Sequence, residues 1–149
     1  MKISFYILPD AEKTRHFIFV CRLIEKIYLN QTAIYLHVDS LNMAHQFDQL
    51  LWTYRDDSFI PHHLMHEVIP EEKNCLCPIH IGYQDLTPQF SGVIINLQTH
   101  VFSLSSHYTE VVEIVFPEPS MQQLARERYK QYRDQGHELI THKIKAHDL

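Results

Sequence analysis

Glycine is scarce in this sequence of 149 residues, which contains only Gly82, Gly92 and Gly136. A phosphate-binding loop needs glycines so that backbone N–H groups can approach the phosphates. The turn at residues 9–12 has no glycine and carries two carboxylates, which repel phosphate. The sequence therefore argues against nucleotide binding. Asp39, which follows the second apolar segment, is interpreted as a turn or capping residue and not as a ribose ligand.

Long apolar runs and regular cysteine patterns are missing as well. No run of about 18 apolar residues occurs, so no membrane span is predicted. The N-terminus lacks a basic region followed by an apolar core and a cleavage site, which argues against secretion. The three cysteines, Cys21, Cys75 and Cys77, form no disulfide framework. We therefore expect a cytoplasmic protein that does not associate with membranes.

No catalytic motif is recognisable. Ser91 precedes a glycine but lacks the nucleophile-elbow pattern. Glu110 and Glu113 stand three positions apart, so on a strand they face opposite sides and form no acid–base pair. The chain is predicted to be non-catalytic and to need no cofactor.

Histidine, by contrast, is abundant, with twelve copies. Imidazole and thiolate groups can ligate zinc, but the Cys-x-Cys spacing here fits no standard site and no second cysteine pair follows. We interpret these residues as scattered histidines and buried thiols, and a metal site in this region stays an open alternative. The candidate ligands are His62, His63, His66, Cys75, Cys77 and His80.

Positive charge is in short supply and is concentrated near the C-terminus. The net charge is −5, which argues against a whole surface that grips DNA. Residues 1–119 hold seven Lys/Arg and fourteen Asp/Glu, whereas residues 120–149 hold six and four. A small basic region on an acidic protein suits a short acidic peptide better than a long phosphate backbone.

What the sequence does contain is an alternation of apolar strands and amphipathic helices. Helical spacing of apolar residues occurs between the strands, and Ser40 is placed to cap the second helix. This rhythm predicts one domain over residues 1–149. It also predicts a three-layer α/β/α fold with a mostly parallel sheet, like a nucleotide-binding fold without its phosphate loop. The predicted strands are residues 3–8, 33–38, 66–69, 79–83, 93–97, 111–116 and, as an edge strand, 138–144.

The last helix carries the most informative pattern. Ser120 and Gln123 have the spacing of a capping box, which predicts a helix start there, and Gly136 predicts its end. At 3.6 residues per turn, one narrow face displays two guanidinium groups beside an aromatic ring, and a neighbouring face can pack inward. Such a face suits an anionic, partly apolar ligand, although composition alone also permits a merely solvated face. The displayed residues are Gln122, Arg126, Tyr129 and Arg133, and the inward ones are Met121, Leu124, Ala125 and Tyr132.

Several segments together resemble one protein family. Residues 120–133 resemble the C-terminal helix of the chi subunit of bacterial DNA polymerase III. Residues 51–64 are similar to that family's Leu-Trp…Ser-Phe-x-Pro-His-x-Leu stretch, and residues 1–8 and 109–112 also fit. The resemblance covers nearly the whole chain in order and is weakest over residues 70–91.

The resemblance implies a binding site for the C-terminal tail of single-stranded-DNA-binding protein, which is acidic and ends in phenylalanine with a free carboxylate. Gln122 stands where well-studied members carry lysine, so a weaker and less salt-dependent interaction is expected. Lys130 is placed on another face of the helix and is not expected to compensate. The implied tail-binding residues are Val115, Gln122, Arg126, Tyr129, Arg133 and Thr141.

The resemblance also implies a second interface, with the psi subunit, as a heterodimer at Trp52, Phe59, Pro61 and His62. Through psi the chain would join the clamp-loader complex, and it would reach DNA mainly indirectly. The expected function is that of an adaptor subunit of the DNA polymerase III holoenzyme in DNA replication. The alternatives are a degenerate nucleotide- or metal-dependent α/β hydrolase, an adaptor for a DNA-repair helicase, and a direct DNA binder.

Overall fold

Strands and helices alternate along the chain, as the apolar pattern predicts. The computed structural model describes residues 1–30, 32–53, 79–83, 90–98 and 108–149, together with the backbone of residues 62–64. The helices are α1 (Lys13–Tyr28), α2 (Leu41–Thr53), α3 (Pro119–Asp134) and a final 3-10 turn (Ala146–Asp148). The strands are β1 (Lys2–Ile7), β2 (Ile34–His37), β3 (His62–Leu64), β4 (Ile79–Gly82), β5 (Gly92–Asn96), β6 (Tyr108–Val115) and β7 (Glu138–Lys143).

The seven strands form one sheet in the order β3-β4-β2-β5-β6-β1-β7. Each neighbouring pair in this order is parallel. Strands β2, β4 and β5 are buried at every position, which explains why their sequences are almost continuously apolar. The predicted mostly parallel α/β fold is therefore confirmed.

Helices cover both faces of the sheet and create two apolar cores. On one face, α1 and α2 pack against β2, β4 and β5, with Phe17 and Phe47 stacked 4.4 Å apart between ring centroids. On the other face, α3 contributes Tyr132 to a core with Ile3, Phe5 and Val115. The sheet is therefore the middle of three layers. None of the helices in the described ranges is long and apolar enough to cross a membrane.

Helix ends follow the local sequence at the start of α2 and at the end of α3, but not at the start of α3. The Ser40 side chain accepts a hydrogen bond from the Met43 N–H at 3.2 Å, so the predicted cap of α2 is confirmed. The predicted start of α3 at Ser120 is wrong, because the helix already begins at Pro119, with Glu118 as its N-cap. Proline's fixed φ suits the first helical position, where no N–H is needed.

The C-terminal end of α3 is confirmed at Gly136, which has a φ of +86°. The Gly136 N–H donates to the Arg133 carbonyl at 3.0 Å, and the His137 N–H donates to the Tyr132 carbonyl at 3.2 Å. These two bonds form a Schellman motif, whose left-handed residue favours glycine. The chain then reverses directly into β7, so α3 and β7 run side by side in opposite directions.

The strand predictions hold best where burial is greatest. The strand predicted at residues 79–83 is β4, and the predicted edge strand after the last helix is β7, whose one neighbour among the described strands is β1. The strand predicted at residues 66–69 lies outside the described residues. Strand β3, a three-residue segment at the opposite edge of the sheet, was not predicted, because three residues give no periodic signal.

Candidate binding groove between helix α3 and strand β7

A groove of about 510 Å³ lies between α3 and β7, above the ends of β1 and β6. The helix supplies one wall, the edge strand supplies the other, and the two inner strands supply the floor. The lining residues are Phe5, Ile7, Val115, Gln122, Ala125, Arg126, Tyr129, Lys130, Arg133, Thr141 and Lys143.

The floor of the groove is apolar. Phe5, Ile7 and Val115 lie on adjacent parallel strands, and Phe5 and Val115 belong to the core beneath α3. The centroids of the Tyr129 and Phe5 rings lie 5.4 Å apart, and the ring planes are inclined by 55°. Aromatic pairs favour such a tilted arrangement over face-to-face stacking. Because Tyr129 keeps 37% of its surface exposed, one part of its ring is available to a ligand.

The rim of the groove is positive. Arg126, Lys130 and Arg133 lie on the helix wall, and Lys143 lies on the strand wall. None of the lining residues in the described part of the chain is a carboxylate. Arg133 approaches Asp134 at 3.7 Å, but both side chains are more than half exposed, so this ion pair is weak. Four cations around an apolar floor favour a ligand that combines negative charge with an apolar or aromatic group.

The structure brings all six predicted tail-binding residues together in this groove: Val115, Gln122, Arg126, Tyr129, Arg133 and Thr141. Their role in binding a tail stays a prediction. The placement of Lys130 on another face is wrong, since Lys130 also lines the groove. Four residues further along a helix is a rotation of only about 40°, so Lys130 stays beside Arg126.

Besides Lys130, four lining residues were not predicted: Phe5, Ile7, Ala125 and Lys143. Phe5 and Ile7 lie more than a hundred positions from α3 in sequence, and only the pairing of β1 with β6 and β7 brings them there. For Lys143, the sequence did contain a signal. Side chains alternate between the two faces of a strand, so Lys143 lies on the same face as the predicted Thr141.

A buried polar network holds α3 onto the sheet beside the groove. Arg128 Nη1 donates to Glu113 Oε1 at 3.1 Å, and Arg128 Nη2 donates to the Gln98 carbonyl at 2.7 Å. The Tyr132 hydroxyl donates to Glu113 Oε2 at 2.6 Å, and Asn96 Nδ2 donates to Glu113 Oε1 at 3.0 Å. The network therefore ties α3 to β5 and β6, which fixes the rotation of the helix and so the direction of its groove-facing side chains.

Burial dominates the electrostatics of this network. Burial raises the pKa of Glu113 above its ordinary value, and Arg128 opposes that rise. Burial and the neighbouring Glu113 carboxylate also raise the pKa of Tyr132, so its hydroxyl remains a donor. Helical periodicity gave no signal for Arg128, because a charged residue on a helix is ordinarily exposed. Its surface is only 6% exposed.

A second cleft, of about 600 Å³, lies at the carboxyl edge of the sheet, where open α/β folds commonly bind nucleotides. Asp10, Asp39 and Glu118 contribute carboxylates to its lining, and Lys13 is also present. A bound phosphate would meet repulsion from these acids, so this cleft differs electrostatically from a nucleotide site.

Two residues of the second predicted surface, Trp52 and His62, lie toward the other edge of the sheet. Trp52, near the end of α2, keeps 44% of its surface exposed. Helix α2 contacts β3, the edge strand that begins at His62. Phe59 and Pro61 lie outside the described residues. Trp52 and β3 are thus separated from the α3 groove by the width of the sheet.

Within the residues that the structure describes, no three or more His, Cys, Asp or Glu side chains are grouped to hold a metal. His80 is buried in β4, while His66, Cys75 and Cys77 lie outside those residues.

The fold and the groove together define a parallel α/β protein with a cationic groove between α3 and β7. The fold is similar to that of the C-terminal domain of the DEAD-box protein Dbp5. The TM-score is 0.60 with 12% identity, over 94% of this chain and 89% of that one, a likeness of fold alone.

The chain belongs to the DNA polymerase III chi subunit (HolC) family, whose sequence model matches residues 1–140. It is 29% identical to DNA polymerase III subunit chi of Pseudomonas aeruginosa over 143 residues, which are 96% of each chain. It is 31% identical to the Escherichia coli K12 subunit, over 82% of this chain and 81% of that one. The Haemophilus influenzae subunit is 29% identical, over 95% and 96%. The resemblance found in the sequence is thereby confirmed.

Proposed function

We propose that this chain is a non-catalytic accessory subunit of DNA polymerase III that acts as an adaptor. Its α3 groove binds the acidic, phenylalanine-terminated tail of single-stranded-DNA-binding protein, and its opposite edge binds the psi subunit of the clamp-loader complex. Family membership supports the polymerase assignment, since the relatives from three bacteria are each named DNA polymerase III subunit chi. The composition of the groove supports the tail-binding role.

The observation that carries the proposal is the positive rim around an aromatic and aliphatic floor. The forked guanidinium of Arg126 suits the terminal carboxylate of the tail, because two parallel N–H donors match two carboxylate oxygens. The exposed part of the Tyr129 ring, with Phe5 and Val115 below it, suits the phenylalanine side chain. Lys130, Arg133 and Lys143 would then attract the acidic residues that precede the terminal phenylalanine of the tail.

Lys130 and Lys143 also bear on the substitution at Gln122. The expectation of weak binding rested on the loss of one lysine at that position. Both lysines line the groove, so its rim retains four positive side chains despite Gln122. We infer that this positive charge is enough to attract an acidic tail without a lysine at position 122.

For the psi subunit, the supporting feature is the exposed Trp52 near the end of α2. A large aromatic side chain that is half exposed is a common interface anchor. Phe59, Pro61 and His62 complete the proposed psi interface. Because Trp52 and the α3 groove lie toward opposite edges of the sheet, the two partners would not compete for space.

The proposed mechanism is tethering. Binding to a tail on coated DNA raises the local concentration of the polymerase machinery without requiring the chain to touch DNA. Each contact can then be weak and fast. The net charge of −5 agrees with a role that does not depend on gripping a phosphate backbone.

The decisive experiment is a fluorescence titration with a short acidic peptide that ends in phenylalanine. The same peptide with an amidated C-terminus removes only the terminal negative charge. Arg126→Ala removes the proposed partner of the terminal carboxylate. Lys26→Ala is the control, because it removes one exposed positive charge from α1, on the other face of the sheet. Circular dichroism checks that each variant is folded.

We expect salt-sensitive binding that amidation and Arg126→Ala abolish and Lys26→Ala preserves. Absence of binding to the free-carboxylate peptide, by folded protein at low salt, would contradict the tail-binding role. The adaptor role would then rest on Trp52 and its partner alone.

A further inference from the structure

Strand β7 is the outer strand of the sheet at the edge that borders the groove. Among the described strands, it pairs with β1 and with no other. The Glu138 N–H donates to the Met1 carbonyl at 3.2 Å, and the Ile144 N–H donates to the Ile7 carbonyl at 2.9 Å. In a parallel ladder, alternate residues bond to the same neighbour, so the backbone groups of Leu139, Thr141 and Lys143 point away from the sheet.

The same three residues direct their side chains toward the α3 face. Leu139 packs against the core beneath α3, and Thr141 and Lys143 line the groove. Ile144, in contrast, packs against the core on the other face, as strand alternation requires. A chain that paired with the outer edge of β7 would therefore place alternate side chains next to the groove.

The charged side chains along the outer edge of β7 indicate which kind of peptide would pair with it. His142, Lys143 and Lys145 lie at its carboxyl end, and the acidic Glu138 lies at the far, amino end. An exposed lysine on an edge strand discourages edge-to-edge pairing with a second copy of the same strand. An extended acidic segment would instead gain charge attraction as well as backbone hydrogen bonds.

We propose that the acidic segment preceding the terminal phenylalanine of the tail adds to β7 as an eighth strand of the sheet. This inference rests on the proposed function, which places the terminal phenylalanine in the groove. The segment leaves the groove over Thr141 and Lys143 and pairs with the outward backbone groups of β7. Backbone pairing supplies affinity in this binding mode, and side-chain contacts supply specificity.

The test is amide hydrogen exchange by NMR on the full chain, with and without a saturating acidic, phenylalanine-terminated peptide. The amides of Leu139, Thr141 and Lys143 should exchange rapidly in the free protein and slow by about tenfold or more in the complex. Ile140 and His142, whose amides face β1, are internal controls and should change little. Slowing confined to α3 and the groove floor would overturn strand addition.

A second measurement uses altered peptides, so that folding of the protein is not at issue. Single N-methyl groups placed along the acidic segment remove one backbone donor at a time. Strand addition predicts that every second N-methyl group weakens binding, because alternate N–H groups face β7. Suppose the unmodified peptide binds and amidation of its C-terminus weakens binding, but no N-methyl group changes the affinity. That result would overturn strand addition and leave the groove assignment intact. Loss of all binding, including that of the unmodified peptide, would overturn the proposed function as well.

Discussion

At the scale of single residues, two arginines of α3 show how differently the same side chain is used. Arg126 is exposed on the rim of the groove, whereas Arg128, two positions later, is buried against Glu113. Two residues along a helix is a rotation of about 200°, so the two side chains leave the helix on opposite sides. Arg126 is available to a ligand, and Arg128 holds the helix that presents it.

Gln122→Lys tests the charge of the rim. We expect tail-peptide affinity to rise by about twofold to fivefold, because one exposed charge contact contributes about 0–1 kcal/mol. The salt dependence of the affinity should become steeper, since the added contact is screened by ions. Titrations at low and high salt measure both effects. Gln131→Lys adds the same charge outside the groove lining, and an equal gain there would contradict the assignment.

Arg128→Met tests the buried network. The variant should lose about 3–5 kcal/mol of unfolding free energy at neutral pH, because Glu113 is left as an uncompensated buried charge. The exposed Arg126→Met is the control and should change it by about 0.5 kcal/mol or less. Urea unfolding monitored by circular dichroism measures both.

The same variant has a predicted pH dependence. Burial raises the pKa of Glu113 above its ordinary value of 4.5, and Arg128 opposes this, so the folded-state pKa should rise further in Arg128→Met. A raised folded-state pKa means that the folded protein binds the proton more tightly than the unfolded chain. The destabilisation relative to the unmodified protein should therefore be smallest at acid pH and grow as pH rises through that pKa. A destabilisation independent of pH would show that the Glu113 charge is not its cause.

At the scale of elements, a serine near a helix start caps the helix only where its side chain reaches the backbone. Ser40 and Ser120 both stand near helix starts, but only Ser40 accepts a bond from the helix backbone. Pro119 begins α3 one position before Ser120, so Ser120 lies inside the helix and not at its cap. The capping-box spacing of Ser120 and Gln123 was a correct indication of a nearby helix and a wrong indication of its first residue.

This difference gives a paired prediction. Ser40→Ala should destabilise the protein by about 1 kcal/mol, because the hydrogen bond to the Met43 N–H is lost. Ser120→Ala should be neutral or slightly stabilising, since alanine favours a helix interior. Thermal or urea unfolding of the two variants separates these outcomes. Equal losses would show that Ser120 acts as a cap after all.

At the scale of the whole molecule, the sheet order separates the two proposed surfaces. Strand β7 and the groove lie at one edge, and β3 lies at the other, near α2 and Trp52. The parallel sheet between them would make the proposed adaptor a spacer as well as a connector. An adaptor built this way can hold two partners without either one changing the other's site.

Trp52→Ala tests that independence. We expect it to weaken binding to the psi subunit by about tenfold or more, as the loss of a central aromatic anchor does. Its affinity for the tail peptide should stay within about twofold, because sites that share no contacts do not couple. Calorimetric titration with each partner, alone and after saturation with the other, measures both. A large change in tail affinity on saturation with psi would contradict the independence of the two sites.

The sequence by itself determined the order of strands and helices apart from β3, the parallel character of the sheet and the helix face of the groove apart from Lys130. These features depend on short stretches of sequence. A buried parallel strand is recognisable as a continuous apolar segment, and helical spacing places Arg126, Tyr129 and Arg133 on one face. Family resemblance added Val115 and Thr141, which spacing alone could not supply.

Only the tertiary structure decided the rest. The floor at Phe5 and Ile7, the strand wall at Lys143 and the pairing of Arg128 with Glu113 join residues that are distant in sequence or buried against expectation. Such contacts depend on which strands become neighbours and on how α3 is rotated above them. Strand order and helix rotation are set by packing over the whole sheet, which no single segment encodes.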